Sequence, residues 1–339
     1  MKKSFLLAAS AILLLSFVWI QEGLFHKPAN FPDPVYNFTE NRLKQETIDL
    51  GRALFYDPIL SNTNTISCAS CHSSYTAFTH VDHALSHGIF DSIGTRNSPA
   101  LMNLAWQKSF MWDGAINNLD MQSLAPISHP AEMGSSIDSV VFRLKKTTLY
   151  PHMFYQAFGD SEITGERCLK AIAQFVLTLV SANSTYDKVK RGETAFTEQE
   201  EKGYYLFQQH CNSCHTEPLF TNGEFENNGL PVDSRLRDPG RAKITQNPSD
   251  SFKFKVPTLR NIEFSYPYMH DGRFKRLSDV LKHYGSGKLS SPTLSVHLIN
   301  GISLSSEQRV DLIAFLLTLT DQDFLFETKY AYPNEIYSR

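Results

Sequence analysis

The sequence predicts a mainly α-helical protein made of two related halves. Three observations carry this. Helical patterning dominates and strand signals are scarce. The length of 339 residues suits about two domains of ordinary size. Blocks of sequence recur in the same order in the two halves, and a chain that repeats its pattern repeats a structural unit. Composition agrees: hydrophobic residues at 42%, charged residues at 20% and 24 Phe with 14 Tyr supply a globular core. A net charge of -3 provides no basic stripe for phosphate, so no nucleic-acid partner is expected.

Along the chain, Lys2 and Lys3 precede an apolar run from Phe5 to Ile20. That pattern reads as a secretory signal or an uncleaved N-terminal anchor over residues 1–28, which points to the periplasm. The prolines between Lys27 and Pro34 suggest an extended tether, with the folded part starting near Phe38. Helices are expected over 39–56, 138–147, 166–181, 197–209, 278–284 and 305–320. Ser305 with Gln308 has capping-box spacing, and Ser278 is placed to cap the helix that continues to Leu281 and Tyr284. Residues 221–252 read as a long loop, tolerable where a large prosthetic group supplies part of the core. The two units are expected at 38–185 and 186–325.

Three blocks define the duplication. Cys68-Ala69-Ser70-Cys71-His72 is matched by Cys211-Asn212-Ser213-Cys214-His215. Pro99, Leu101, Asn103, Met111, Asp113 and Gly114 recur without a gap as Pro257, Leu259, Asn261, Met269, Asp271 and Gly272. Phe175, Leu177, Thr178 and Leu179 recur as Phe315, Leu317, Thr318 and Leu319. Cys-x-x-Cys-His is the attachment signature of c-type haem: both thiols add to the vinyl groups and the histidine becomes the proximal iron ligand. A zinc site would need further clustered Cys or His, and a thioredoxin-like pair lacks the trailing His. Two pentads therefore imply two covalently bound haems, and the fold becomes two cytochrome c-like haem domains related by internal duplication. Haem c is attached outside the cytoplasm, in agreement with export. The fifth cysteine, Cys168, fits a helix interior as a small hydrophobe.

Differences between the halves point to the chemistry. Tyr284 stands fourteen residues beyond His270, and the same count from Trp112 lands on Pro126. Tyrosine can ligate iron and proline cannot, so if these positions overlie the distal haem faces, the second haem is capped and the first stays open. Glu132 and Gln122 flank Pro126, a carboxylate and an amide of the kind peroxide cleavage needs. Trp112 opposite His270 is either a packed aromatic or an oxidisable relay.

These residues resemble the bacterial dihaem cytochrome c peroxidase and MauG family over nearly all of the chain after the signal. The matching segments are Leu50–Ser61, the first pentad, Arg96–Leu101, Trp112-Asp113-Gly114, Glu132-Met133-Gly134, the second pentad and Tyr268–Phe274. The resemblance implies a peroxide-reacting haem on His72 and an electron-transfer haem on His215, with Trp112 and a calcium ion between them. It assigns the calcium to the Asn97 side chain and the carbonyls of Ser265 and Pro267, an oxygen set suited to a hard cation. It places the distal peroxide residues at Gln122, Pro126 and Glu132. Peroxidases of the family often carry Met as distal ligand of the electron-transfer haem, whereas Tyr284 matches the MauG pattern. Met269 is the nearby alternative, although its repeat partner Met111 suggests packing. Ser86-His87-Gly88 instead resembles the peroxidase segment with a removable distal histidine, which makes His87 a candidate ligand of the first haem.

The expected function is reduction of hydrogen peroxide with electrons from a small cytochrome c or another periplasmic donor. The alternatives are a MauG-like oxidase acting on a partner protein and a non-catalytic dihaem electron carrier. A homodimer is common in the resembling family, but no self-complementary patch can be read.

Overall fold

The computed structural model describes residues 23–338, so the apolar run at residues 5–20 lies outside the described residues. Among those described, no helix is long and apolar enough to cross a membrane. Eight helices carry the fold: α1 (Gln45–Tyr56), α2 (Ile137–Leu144), α3 (Leu149–Phe158), α4 (Gly165–Leu177), α5 (Thr185–Lys190), α6 (Glu198–His210), α7 (Leu277–Lys282) and α8 (Ser306–Leu317). One two-stranded antiparallel ribbon joins β1 (Phe225–Glu226) to β2 (Phe254–Lys255), pairing Phe225 with Lys255.

The two most extensive helix packings are α1 on α4 and α6 on α8. Both depend on a glycine: a Cβ at Gly51 would lie 1.9 Å from the Ala171 carbonyl oxygen, and one at Gly203 would lie 2.0 Å from that of Asp311. Phe175 and Phe315, partners in the repeat, flank the two crossings. Asn103 and Asn261 both take the left-handed conformation, at φ 54° and 55°, which asparagine tolerates better than most residues. Their backbone N–H groups donate to Leu179 O at 2.8 Å and Leu319 O at 3.0 Å, so each repeat block is tied to the end of its own closing helix.

Several boundaries differ from the sequence expectations. The first helix begins at Gln45, because Thr39 donates its N–H and hydroxyl to Asn37 and Lys44 donates its N–H to Gln174. Those side chains take donors that a helix would have used. Ser278 caps nothing: α7 starts at Leu277 with Arg276 in the cap position. The ten-residue α3 was not expected; its Tyr150, Met153, Phe154 and Ala157 are buried in the first half. The 221–252 loop contributes β1 and a short helix, Ala242–Thr245. The expected tether is packed from Leu24 onward, with Phe31 only 3% exposed and edge-on to Trp106 at 5.0 Å. Trp106 Nε1 donates to Pro32 O at 2.8 Å, which anchors this segment well before Phe38.

Three apolar clusters form the core. Two belong to the first half, one around Phe55, Phe78 and Phe175 and one around Leu54, Phe154 and Ile172; the third, around Phe207, Phe220 and Phe315, belongs to the second. Cys168 is buried in the Leu54 cluster, as a small hydrophobe should be. The C-terminal stretch past Phe324 returns to the first half: Tyr56 donates its hydroxyl to Tyr330 O, and Arg52 donates to Thr328 O and Ala331 O and pairs with Glu335.

Candidate haem sites and the joint between them

Both pentads turn in the same way. The His72 N–H donates to Cys68 O and the His215 N–H to Cys211 O, each at 2.9 Å, so both cysteines and the histidine share one turn. The imidazoles are fixed alike: His72 Nδ1 meets Phe78 O at 2.7 Å, while His215 Nδ1 meets Phe220 O at 3.2 Å and Pro257 O at 3.1 Å. Engaging Nδ1 in this way leaves Nε2 to ligate a metal and orients the ring. Burial pushes both imidazoles down to about 4, against weaker support from the carbonyls, so they are neutral and competent as ligands. Burial likewise pushes the Cys68 and Cys211 thiols up to about 12.

A cavity of about 350 Å³ opens beside the second pentad. Cys211, Cys214, His215 and Tyr284 line it with apolar side chains that include Leu259 and Leu312. Its lining extends through Met269, Asn97, Ser265 and Pro267 to Trp112, so all three predicted calcium ligands face the same space. Among the described residues three buried polar atoms lack a partner: Ser295 Oγ, Ser123 Oγ and His80 Nδ1. Ser295 lines this cavity and Ser123 follows Gln122. The orphaned Ser295 hydroxyl beside paired thiols, a fixed imidazole and an apolar wall suits a porphyrin that carries its own carboxylates.

Tyr284 sits in a wide helical turn, His283–Gly287, that continues α7. Burial raises its hydroxyl pKa, opposed by Asn228, which the His283 ring holds through a 3.0 Å contact to Asn228 O. Asn228 also donates its Nδ2 to Met269 Sδ at 3.3 Å, occupying the sulfur of the alternative ligand. The first half mirrors this: Gln122 Nε2 donates to Met111 Sδ at 3.2 Å. Met111 and Met269 take φ of 68° and 76°, strained values for an unbranched side chain that tertiary contacts must maintain. Asn228 was not foreseen; it lies in the loop at 221–252, where neither periodicity nor the repeat pointed to it.

Around the first pentad, Glu132 O accepts the Ile89 N–H at 2.8 Å and its carboxylate stands 3.7 Å from His129 Nδ1. Burial raises the Glu132 pKa and the His129 charge lowers it, the first effect winning. The Glu132 charge acts on both Cys68 and Cys71, so it belongs to this site. Pro126 lies in the short helix Leu124–Ser128, and its carbonyl accepts the Met133 N–H at 3.2 Å. His87 stacks on His83 at 4.1 Å and gives Nδ1 to Asp91 at 2.8 Å, and its Nε2 has no hydrogen-bond partner among the described residues. Its own carbonyl lies 3.5 Å from Cys71 Sγ.

Trp112 is pinned by both halves. Its Nε1 donates to Asn97 O at 2.8 Å and its carbonyl accepts the Lys255 N–H at 2.7 Å, while Asn97 N–H donates to His270 O at 2.7 Å. Arg96 closes the joint on Asp113 at 2.7 Å and Asp238 at 2.6 Å. Arg96, Asn97, Trp112, Asp113 and His270 lie in the matched segments, whereas Asp238 and Lys255 reach the network from outside them and were not legible as motif spacing.

Comparison with known proteins agrees with the geometry. Residues 45–195 match the family model described as di-haem cytochrome c peroxidase. The methylamine utilization protein MauG of Methylorubrum extorquens is 37% identical over 308 residues, covering 87% of this chain and 83% of that protein. The cytochrome c551 peroxidase of Nitrosomonas europaea is 33% identical, covering 80% of this chain and 79% of its own. A crystal structure of a MauG-like protein associated with microbial copper homeostasis superposes with a TM-score of 0.82 at 31% identity, covering 91% of this chain and 98% of that one.

Proposed function

Because the chain belongs to the di-haem cytochrome c peroxidase and MauG family, we propose that it reduces hydrogen peroxide to water with electrons from a small periplasmic cytochrome c. Membership makes it a dihaem oxidoreductase with two c-type haems. When bound, each haem supplies an iron whose axial ligands set whether it accepts peroxide oxygen or passes electrons. The peroxide site is assigned to the His72 side and electron entry to the His215 side, with calcium held by Asn97, Ser265 and Pro267.

The observation that carries the peroxidase reading is the half-buried Glu132 carboxylate beside the first pentad, its pKa raised by burial. Splitting peroxide needs a base that takes the proton from one oxygen and returns it to the other, and a carboxyl with an elevated pKa suits both steps. Gln122, whose amide holds the Met111 sulfur, and the buried, unpartnered Ser123 hydroxyl are the further polar groups we assign to this site. Pro126 offers no ligand, which keeps that face open. Two protons and two electrons complete the balance to two waters. Trp112, pinned between the halves, is the relay for those electrons, and His87, its Nε2 without a partner among the described residues, is the removable ligand that closes the first haem at rest.

Tyr284 favours a second reading, a MauG-like oxidase that uses the same oxidising equivalents on side chains of a partner protein. Tyr284 lines the cavity of the second pentad while the Met269 sulfur is held by Asn228. Steady-state oxidation of reduced cytochrome c by hydrogen peroxide separates the two. Rapid turnover is expected, and its dependence on prior reduction of the second haem reports His87. Spectral reaction with peroxide but no cytochrome oxidation selects the oxidase, and no reaction in either redox state leaves an electron carrier.

A further inference from the structure

Lys255 brings to the joint a buried charge that no carboxylate among the described residues balances. Its ammonium donates to Gln107 Oε1 at 2.7 Å and Ser109 O at 2.9 Å, two neutral acceptors. Three donors are available on an ammonium, so one remains. No carboxylate lies within 4.0 Å of it among the described residues. Burial pushes its pKa down to about 8, with no counter-charge acting against that fall. An ammonium taken out of water without an anion costs several kcal/mol, a cost that folded proteins offset with a partner. The same side chain lines the cavity that also holds Cys211, Cys214, His215 and Tyr284, and the buried, unpartnered Ser295 hydroxyl lies on that wall too.

We propose that Lys255 is the anchor for a propionate carboxylate of the haem carried by the second pentad. The missing anion is supplied by the cofactor, which completes the third donor of Lys255. Because the backbone N–H of Lys255 also holds the Trp112 carbonyl, the anchor ties the edge of this haem to the peptide that carries the inter-haem tryptophan. A fixed positive charge beside a haem favours the reduced, less positive iron, so Lys255 raises the potential of the haem that receives electrons. This rests on the reading that the second pentad carries a haem, which the pyridine haemochrome spectrum of the wild type tests by itself: two haems per chain are expected.

The test is a spectroelectrochemical titration of both haems in the holoprotein, comparing wild type with K255Q, K255R and K108Q. Glutamine keeps a donor for Gln107 and Ser109 but removes the charge; arginine keeps the charge; Lys108 is an exposed control on the same cavity rim. K255Q is expected to shift the second haem's reduction equilibrium about ten-fold toward the oxidised form, about 59 mV for one electron. K255R and K108Q stay close to wild type. An unchanged second haem in K255Q, equal shifts in K255Q and K255R, or a shift confined to the first haem would each overturn the assignment. Should K255Q not accumulate as folded holoprotein, the wild-type holoprotein decides by crystallography. A propionate oxygen within about 3.2 Å of Lys255 Nζ is expected, and a propionate turned away from it overturns the proposal.

Discussion

At the scale of single residues, the halves share a frame and differ in the groups set into it. His72 and His215 have the same Nδ1 anchorage, and Met111 and Met269 the same strained backbone and amide-held sulfur. Glu132 has no such twin among the matched blocks, and its chemistry is the most directly testable. Replacing Glu132 with Gln keeps shape and a hydrogen-bonding end but removes the proton carrier, so turnover with peroxide is expected to fall by roughly two to four orders of magnitude. The haem absorption spectra should stay unchanged; near-wild-type turnover would remove Glu132 from the mechanism. The pH profile gives the sign independently. Burial raises the Glu132 pKa above its ordinary 4.5, so the base form, and with it kcat/KM, is lost as pH falls through a value above 4.5. That acid limb should be absent from the residual activity of Glu132→Gln. The sequence made these residues legible because haem attachment needs a fixed pentad and the repeat supplied a ruler from Trp112 to Pro126. It did not reveal Asn228, since an asparagine in an irregular loop has no periodic signature and acquires meaning only from the sulfur and phenol it faces.

At the scale of elements, the duplication is a pair of helix crossings. α1 on α4 and α6 on α8 approach so closely that only glycine fits at Gly51 and Gly203. Placing a methyl there pushes it into a backbone carbonyl, which cannot turn aside as a side chain can. Gly51→Ala and Gly203→Ala are each expected to cost at least the roughly 1–3 kcal/mol of an overpacked core, outweighing the roughly 1 kcal/mol that alanine gains in helix propensity. Differential calorimetry of the holoprotein measures the loss. Because α6 runs directly into Cys211, Gly203→Ala should disturb the second haem's spectrum and Gly51→Ala the first's. Five of the six expected helices appear with ends shifted by a few residues, and the first is shortened by side-chain competition at Thr39 and Lys44. α3 escaped notice because Leu149–Phe158 is apolar on more than one face and carries Pro151 and four aromatics, so no clean 3.6-residue stripe appears in the sequence.

At the scale of the whole molecule, the first half is not closed by its own sequence. Tyr330 donates its hydroxyl to Thr178 O at 2.7 Å and Tyr337 to Ala53 O at 2.6 Å, so the C-terminal stretch lies over the first half. Such a return cannot be read from a segment with no repeat partner. Ending the chain after Glu327 should therefore lower the stability of the first half, measurable as earlier loss of the His72-side haem spectrum on heating, while the second pentad's site is retained. The joint near Trp112 makes a stronger demand. Arg96 is 17% exposed and spans Asp113 and Asp238, which are 6% and 7% exposed, with no other cation pairing either acid among the described residues. Burial alone would raise the Asp238 pKa, but the Arg96 hydrogen bonds and charge outweigh it and hold the carboxyl below its ordinary 3.8. A carboxyl depressed in the folded state stabilises above its unfolded pKa, and that contribution is lost as pH falls through the folded value. Arg96→Met leaves two acids with little water and no cation, each held only by one backbone N–H, from Ala115 and Gly240, a defect expected to cost about 3–5 kcal/mol near pH 7. Acidification should narrow the gap to wild type below about pH 4, because protonation removes the orphaned charges in the variant and the ion pairs in the wild type. Asn97, the next residue, presents its carbonyl to Trp112 Nε1, so the same variant should slow electron transfer between the haems in stopped-flow reduction. Equal stability of variant and wild type at pH 7, or unchanged inter-haem transfer, would mean that the Arg96 bridge does not hold the relay in place.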